Sequence, residues 1–308
     1  MNFVPAEKIF CETKMKHYTN GAAFIDQEIV PISEAKISIL DWGFLHSDAT
    51  YDVVHVWRGR FFRLNDHLER FFSSMEKLNM AIPYTRKELH SILSSCVKAS
   101  GLREAYVEMI TTRGLPEPGS RDPRTCTNQF FAFAIPFIWI TKPQNGLHLI
   151  VSERQRIPAE SVDPVIKNYH WLDFVMGQFE AFERGGETAV LIDSQGNIKE
   201  GPGFNIFSIK DSVLKTPARG VLQGITRKTV LELATENGFT VIHGNLKPEE
   251  ARSSDEAFAT STAGGIIPIT KIDDQIINGG IIGPITKTLH DSYWKLHDEP
   301  KYSAAINY

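Results

Sequence analysis

Several residues of the second half have side chains that could carry chemistry on an amine. Lys167 follows two apolar residues, and a lysine amine that is partly shielded from water can lose its charge and attack a carbonyl carbon. Glu200 stands in a glycine-rich turn, where a carboxylate could pair with the nitrogen of a heteroaromatic ring. The runs 224–227 and 261–265 combine small residues with hydroxyl groups, and the first opens a predicted helix, so both could donate hydrogen bonds to a phosphate.

Taken one by one, these features are typical of ordinary structure. A lysine near a helix is usually a solvated surface charge, and a glutamate among glycines is usually a turn residue. A Gly-Ile-Thr run often does no more than begin a helix. The order and spacing along the chain, rather than any single residue, therefore indicate a site.

The four segments stand in the order that is found in fold type IV pyridoxal-phosphate enzymes. They are Lys167, Glu200-Gly201-Pro202-Gly203-Phe204-Asn205, Gly224-Ile225-Thr226-Arg227 and Ser261-Thr262-Ala263-Gly264-Gly265. In the first half, segment 63–70 resembles the family helix that brings an arginine, here Arg70, to the phosphate. Over nearly its whole length the sequence thus resembles a family of branched-chain aminotransferases, D-amino acid aminotransferases and aminodeoxychorismate lyases.

The resemblance implies a role toward pyridoxal 5'-phosphate for each matching residue. Lys167 would hold the cofactor as a Schiff base and would then serve as the base and acid of the proton shift. Glu200 would pair with the pyridine nitrogen and keep it protonated. The other expected cofactor contacts are Arg70, Phe204, Leu222, Gly224, Ile225, Thr226, Ser261 and Thr262.

The run 46–51 indicates a subgroup within this family. His46-Ser47-Asp48-Ala49-Thr50-Tyr51 replaces the Gly-Asp-Gly type of run that is usual in amino acid aminotransferases, and it resembles the (R)-selective amine transaminases. The resemblance implies transfer of an amino group from a chiral primary amine to a keto acid such as pyruvate. The expected substrate contacts are His46, Tyr51, Val53, Arg121, Trp171, Thr262 and Ala263.

A keto acid also needs a cation for its carboxylate. The polar loop 114–128 supplies Arg121, which we favour, and Arg124, which stays an alternative. The roles of His55 and Tyr169 are left open.

Three other functions remain possible at this point. A D-amino acid or branched-chain amino acid aminotransferase would use the same cofactor with a fixed trap for the carboxylate. A lyase of the aminodeoxychorismate type would release pyruvate without an amino acceptor. A non-enzymatic binding protein would have no need for Lys167, Glu200 and Arg70 together.

The elements that must position these residues are helices and strands mixed in both halves, without regular βαβ repetition. This pattern predicts a two-domain α/β (α+β mixed) protein, and the resemblance implies the fold of D-amino acid and branched-chain aminotransferases. We expect a smaller domain over 1–138, a linker over 139–147 and a larger cofactor-binding domain over 148–308. Predicted hairpins cover 21–31, 53–62, 188–199 and 204–214, and predicted helices cover 65–79, 85–100, 169–184, 226–237 and 284–297.

Composition narrows the function classes. The formal net charge is −4 with no long basic run, so nothing supports nucleic-acid binding. No apolar stretch approaches the roughly 20 residues that span a bilayer, and we expect a soluble, cytoplasmic protein without a signal peptide. The cysteines Cys11, Cys96 and Cys126 are scattered, so we expect neither a disulfide nor a metal site, and Cys96 should be core. The resemblance adds the expectation of a homodimer.

Overall fold

The computed structural model describes residues 18–140 and 146–308. These residues form two compact units. Unit 1 contains the described residues up to Ile138, with Lys167–Tyr169 and Pro300–Tyr308, and unit 2 contains those of Trp139–Ile166 and His170–Glu299. Most of the predicted linker, the start of the chain and Cys11 lie outside the described residues, and the predicted domain boundaries stay predictions.

Strands and helices occur in both units. The strands are β1 (Ala22–Ile25), β2 (Glu28–Pro31), β3 (Ala49–Trp57), β4 (Arg60–Phe62), β5 (Ala105–Leu115), β6 (Thr127–Pro136), β7 (Leu147–Gln155), β8 (Thr188–Ile192), β9 (Glu200–Gly201), β10 (Phe204–Lys210), β11 (Val213–Pro217), β12 (Val241–Gly244), β13 (Glu256–Ser261), β14 (Gly265–Ile272), β15 (Gln275–Ile276) and β16 (Ser303–Ala305). The helices are α1 (Trp42–Leu45), α2 (Leu64–Lys77), α3 (Arg86–Ser100), α4 (Leu172–Glu183), α5 (Ile225–Glu236), α6 (Pro248–Arg252) and α7 (Pro284–Lys295).

Unit 1 is built on an antiparallel sheet in the order β16-β4-β3-β5-β6-β1-β2. Side chains alternate across the sheet, so one face packs on helices and the other is available for a site. Val54, Val107 and Ala132 point to the helix face and join the apolar core beneath α2 and α3. Tyr51, Val53 and the side chains at alternate positions of β5 point to the other face, which we call the open face.

The helix predicted over 85–100, the hairpin predicted over 21–31 and the burial of Cys96 are confirmed in unit 1. Thr85 and Glu88 form the capping box that begins α3, and Gly101 ends this helix with a φ of 70°. Cys96 is fully buried on the apolar face of α3, and burial raises the pKa of its thiol to about 12. The hairpin of β1 and β2 turns at Asp26 and Gln27, where both residues have positive φ values.

Unit 2 is built on a mixed sheet whose main path is β12-β11-β10-β13-β14-β7-β8. The pairs β7–β8, β7–β14 and β11–β12 are parallel, and the other pairs are antiparallel. Helix α4 packs on β7 and β8, while α5 and α7 pack on β13. The result is a mixed α/β fold, as the sequence predicted. Among the residues that the structure describes, none of the helices has the length and apolar composition that a membrane-spanning segment needs.

Two predicted boundaries were wrong where tertiary contacts take over. The helix predicted from residue 169 begins at Leu172, because Lys167 and Asn168 are hydrogen-bonded to β3 instead. The predicted loop 114–128 is shorter, because β5 continues to Leu115 and β6 begins at Thr127. The hairpin of β10 and β11, which the sequence predicted over 204–214, turns at Asp211 and Ser212.

Candidate active site

Lys167 is attached to β3 in unit 1. Its carbonyl oxygen accepts a hydrogen bond from the Tyr51 N–H at 3.1 Å and another from Thr50 Oγ1 at 2.7 Å. Its own N–H donates to Ser74 Oγ of α2 at 3.4 Å, and Asn168 forms an isolated β-bridge with Thr50. The backbone on both sides of the lysine is therefore fixed, and only the side chain is left to move.

The amine of Lys167 faces aromatic rings. Its Nζ lies 4.1 Å from the centroid of the Tyr51 ring, which is the geometry of a cation–π contact. The Tyr51 ring in turn stacks on Tyr169, with centroids 4.3 Å apart and planes 14° from parallel. The sequence left the role of Tyr169 open. In the structure, the Tyr51 ring lies between Tyr169 and the Lys167 amine.

A buried carboxyl group lies behind these rings. Glu108 stands opposite Val53 in the register of β5 and β3 and is 8% exposed. The hydroxyl of Tyr169 donates a hydrogen bond to Glu108 Oε1. Burial raises the pKa of Glu108, although the hydrogen bond from Tyr169 and the charge of Lys167 work against this. The open face thus places a buried carboxyl group beside the aromatic rings.

The other substrate residues predicted in unit 1 occupy different surroundings. Val53 is buried two positions after Tyr51 on the same face of β3. His46 is exposed at the end of α1, where its ring meets Trp42 edge-on at 4.8 Å. His55, whose role the sequence left open, is 1% exposed and stacks on Phe62 with ring centroids 5.7 Å apart.

Two arginines of the loop after β5 differ in their contacts. Arg121 is exposed in this loop. Arg124 is bound to its neighbour Asp122, at 2.6 Å from Nη2 to Oδ2. Because Arg124 is paired with Asp122, Arg121 is the better candidate to bind the carboxylate of a substrate.

Arg70 belongs to an ion-pair cluster of unit 1. Its Nε donates to Asp52 Oδ2 at 2.7 Å, and its Nη2 donates to Asp52 Oδ1 at 2.8 Å. His67 Nδ1 lies 2.8 Å from the same Oδ1. Burial alone would raise the pKa of Asp52, but the Arg70 charge and the hydrogen bonds bring it well below the usual range. The arginine that the sequence assigned to a phosphate is thus oriented by a buried carboxylate.

Glu200 is the centre of a polar cluster in unit 2. It is 4% exposed, and its Oε2 accepts a hydrogen bond from the Leu222 N–H at 2.8 Å. Asn205 Nδ2 lies 3.5 Å from the same oxygen and donates to the Leu222 carbonyl at 2.9 Å. Arg156 Nε reaches Oε1 at 3.3 Å, while its Nη1 binds Asp173 at 2.6 Å. The carboxylate is therefore held in one orientation from several sides.

The turn around Glu200 is shaped by close packing. A Cβ on Gly201 would lie 2.1 Å from the Phe204 ring, so only glycine fits beside this buried aromatic residue. Helix α5 begins at Ile225 with Gly224 as its N-cap, and no side chain of the described residues caps it. Its first N–H groups therefore remain as donors, and Ile225 and Thr226 are both buried there.

The small-residue segment after β13 is fixed by its own hydroxyl. Ser261 Oγ donates to the Gly203 carbonyl at 2.8 Å and accepts from the Ala263 N–H at 3.2 Å. This ties the segment to the glycine turn between Glu200 and Phe204. Thr262 follows as a half-buried residue. Trp171 is half-buried, and its ring meets Phe174 edge-on at 5.6 Å.

These residues fit pyridoxal 5'-phosphate, the cofactor that the sequence predicted. Glu200 is a fixed carboxylate of the kind that a protonated ring nitrogen needs. The start of α5 offers backbone donors to a phosphate, and a Cβ on Gly224 would lie 2.3 Å from Asn205 Oδ1 and disturb this arrangement. Lys167 supplies an amine from a fixed backbone segment.

Sequence reasoning missed three members of these clusters. Arg156 lies 44 residues before Glu200, and nothing in its own segment signals the contact. Asp52 is one residue from Tyr51 and has the pattern of an ordinary strand residue. Glu108 could have been found, because an acid at an alternate position of an otherwise apolar strand must face something other than the core.

Known proteins resemble this chain over most of its length. Residues 49–272 match the family model for amino-transferase class IV. A putative branched-chain-amino-acid aminotransferase of Methanocaldococcus jannaschii is 34% identical over 282 residues, which cover 91% of this chain and 95% of that protein. A D-alanine aminotransferase of Bacillus licheniformis is 32% identical over 263 residues, 83% of this chain and 90% of that protein.

A solved structure agrees with these sequence matches. The branched-chain amino acid aminotransferase of Thermobaculum terrenum, in its holo-form with pyridoxal 5'-phosphate, has a TM-score of 0.85 and 25% identity. The match covers 93% of this chain and 98% of that one.

Proposed function

Because this chain belongs to the class IV aminotransferases, enzymes that use pyridoxal 5'-phosphate, we propose that it transfers an amino group from an amino acid to a keto acid. One observation carries the choice of substrate class. The identity to the Methanocaldococcus jannaschii relative runs through 91% of this chain and 95% of the relative. Branched-chain and D-amino acids are the donors that the names of the relatives suggest.

Two residues would do the central chemistry. When bound, the cofactor supplies an electron sink that weakens the bond from the donor carbon to its hydrogen. Lys167 would be the covalent anchor. Its Nζ would take up that proton as a base and would later return it as an acid. Glu200 would hold a proton at the ring nitrogen, and its contacts with Leu222, Asn205 and Arg156 would keep the carboxylate in place.

The phosphate would lie at the start of α5. The N–H groups of Ile225 and Thr226 would donate to it, with Thr262 completing the cup and Ser261 fixing the segment that carries Thr262. Arg70 would add positive charge, with its guanidinium held in one orientation by Asp52. Phe204, Leu222 and Gly224 would pack around the ring and its phosphate.

The substrate would meet aromatic and apolar walls. Tyr51, Val53 and Trp171 would line the pocket with Ala263, and His46 would lie at its edge. Arg121 would pair with the carboxylate of the keto acid, since it is exposed and Arg124 is bound to Asp122.

A second candidate is an (R)-selective amine transaminase. The observation that favours it is the buried Glu108 beside the tyrosines that face Lys167. A carboxyl group at this place disfavours a donor that carries its own carboxylate. It favours an amine donor whose substituents are uncharged. The run from His46 to Tyr51 supports the same candidate by its resemblance to that subgroup.

One spectroscopic experiment separates these candidates. Purified protein with pyridoxal 5'-phosphate should show a visible band that bleaches with a good donor and returns with a keto acid. Bleaching by L-leucine or D-alanine supports the amino acid reaction, and bleaching by (R)-1-phenylethylamine alone supports the amine reaction. Pyruvate release without an acceptor would support the lyase instead. A Lys167→Ala variant without a band identifies the anchor, and an unchanged band would rule it out.

We also propose that the protein is a homodimer. Helix α4 exposes an apolar face, and its members are Leu172, Val175, Met176, Phe179 and Phe182, each at least 42% exposed. These positions recur every three or four residues, so they lie on one side of the helix. A contiguous apolar face of this kind is costly to leave in water and is typical of an interface.

A further inference from the structure

Glu108 is a buried carboxyl group that the proposed amino acid reaction does not use. It lies on the open face of β5, across from Val53, and is 8% exposed. A carboxyl group in such surroundings is costly unless hydrogen-bond donors stabilise it. The described donor from the neighbouring segment is the hydroxyl of Tyr169, and Tyr106 on the same strand also bonds to Glu108.

The hydrogen bond to Glu108 fixes the rings that meet the lysine. Tyr169 cannot rotate without losing the contact of its hydroxyl with Glu108, and its ring stacks on Tyr51 at 4.3 Å. The other side of this stack meets Lys167, whose Nζ is 4.1 Å from the Tyr51 centroid. Glu108, two stacked rings and one amine thus form a continuous row.

Charge also connects the two ends of the row. The positive charge of Lys167 lowers the pKa of Glu108, against the larger effect of burial, which raises it. The interaction between two charges acts equally on both of them. An ionised Glu108 therefore stabilises the charged amine of Lys167 as much as that amine stabilises the Glu108 carboxylate. Asp52, an acid that also raises the pKa of Glu108, is paired with Arg70, and Tyr51, Tyr106 and Tyr169 are further titratable groups of this cluster among the described residues.

We propose that Glu108 is a positioning residue for Lys167, which holds its amine through the Tyr169–Tyr51 stack and sets the pH range in which that amine loses its proton. The proposal rests on the role of Lys167 as cofactor anchor. It assigns Glu108 no contact with substrate. The neutral lysine amine is the form that binds the cofactor, so Glu108 would determine how much of this form is present at a given pH.

The test measures the lysine itself. Full-length protein, freed of cofactor, is labelled with a trace of an amine-reactive reagent at several pH values, and labelling of the Lys167 peptide is followed by mass spectrometry. In Glu108→Gln the amide keeps the size and a hydrogen-bond acceptor but loses the charge. We expect its labelling midpoint to fall by about half a pH unit or more, which is about a threefold gain in neutral amine below the midpoint. Glu104→Gln, an exposed position just before β5, is the matched control and should leave the midpoint unchanged.

Tyr169→Phe tests the same row from its other end, and it serves if Glu108→Gln does not fold. Loss of its hydroxyl removes a bond that stabilises the Glu108 anion, so the midpoint should again fall. Equal midpoints in Glu108→Gln or Tyr169→Phe and in the Glu104→Gln control would overturn the proposal. Since labelling needs no cofactor, a missing visible band in the loaded protein would count against the role of Lys167 and not against this inference.

Discussion

The guanidinium of Arg70 binds both carboxylate oxygens of Asp52, at 2.7 Å from Nε to Oδ2 and 2.8 Å from Nη2 to Oδ1. The Asp52 side chain is completely shielded from water, and the Arg70 side chain is 12% exposed. A charge in such a place depends on its partner, because removal of one partner leaves the other buried and unpaired. The pair therefore ties α2 to β3 and at the same time aims an arginine that we assign to the phosphate.

We expect Asp52→Asn to lower the free energy of unfolding by about 3–5 kcal/mol, the usual cost of breaking a buried pair. Chemical denaturation at neutral pH measures this directly. Asp66→Asn is a suitable comparison, because Asp66 pairs with Arg63 but is 22% exposed, and it should cost much less. If Asp52→Asn is as stable as Asp66→Asn, the pair contributes little to the fold.

The neighbouring His67 makes stability depend on pH. Burial lowers the pKa of His67 below that of an ordinary histidine, so the unfolded chain binds a proton that the folded chain does not. Stability contributed in this way is present above the unfolded pKa of about 6.5 and is lost as the pH falls below it. Melting temperatures measured between about pH 7 and pH 5 should therefore decline, and less steeply in His67→Gln. An equal slope in His67→Gln and in the unchanged protein would show that this dependence does not come from His67.

Glu200→Gln should slow catalysis without removing the cofactor. The amide can still accept the hydrogen bond from the Leu222 N–H but cannot hold a proton at the ring nitrogen as a carboxylate does. We expect kcat to fall by about a hundredfold, in the range of other losses of a fixed electrostatic group. Measurement of kcat and of the Kd for pyridoxal 5'-phosphate separates the two effects. Glu183→Gln on the surface of α4 should change neither, and an undiminished kcat in Glu200→Gln would reject its assigned role.

Gly224→Ala should weaken the hold on the phosphate. The added Cβ would lie 2.3 Å from Asn205 Oδ1, so either Asn205 or the start of α5 must move. A displacement that costs one hydrogen bond of about 1.4 kcal/mol raises the Kd for the cofactor about tenfold. Gln223→Ala, at the exposed neighbouring position, should leave the Kd near its original value. Equal cofactor affinity in both variants would show that the phosphate lies elsewhere.

Charged substitutions test whether the apolar face of α4 forms the dimer interface. Phe179 and Phe182 are 57% and 58% exposed, so the double change Phe179→Glu and Phe182→Glu should not disturb the core of unit 2. Sedimentation should find monomers in this variant and dimers in the unchanged protein, because burial of two charges in an apolar interface is unfavourable. Glu183→Lys on the same helix is the control. Dimers that persist in the double variant would place the interface on another surface.

Much of the local structure was determined by the sequence alone. The capping box of Thr85 and Glu88, the terminal Gly101 and the burial of Cys96 depend on residues within a few positions of one another. The helix that begins after Gly224 follows from the same local rules. The resemblance of the segments around Lys167, Glu200 and Gly224 also gave the family and its cofactor, because these segments keep their order whatever the contacts between them.

Only the tertiary structure decided which side chains meet. The helix predicted from residue 169 begins only at Leu172, because β3 holds Lys167 and Asn168 just before it, and a single sequence does not show which strand will do so. Arg156 joins Glu200 across 44 residues, and Glu108 joins Tyr169 across 61 residues. Local propensity reports on neighbours along the chain, whereas the charge, burial and hydrogen bonding of a site depend on strands and segments that only folding brings together.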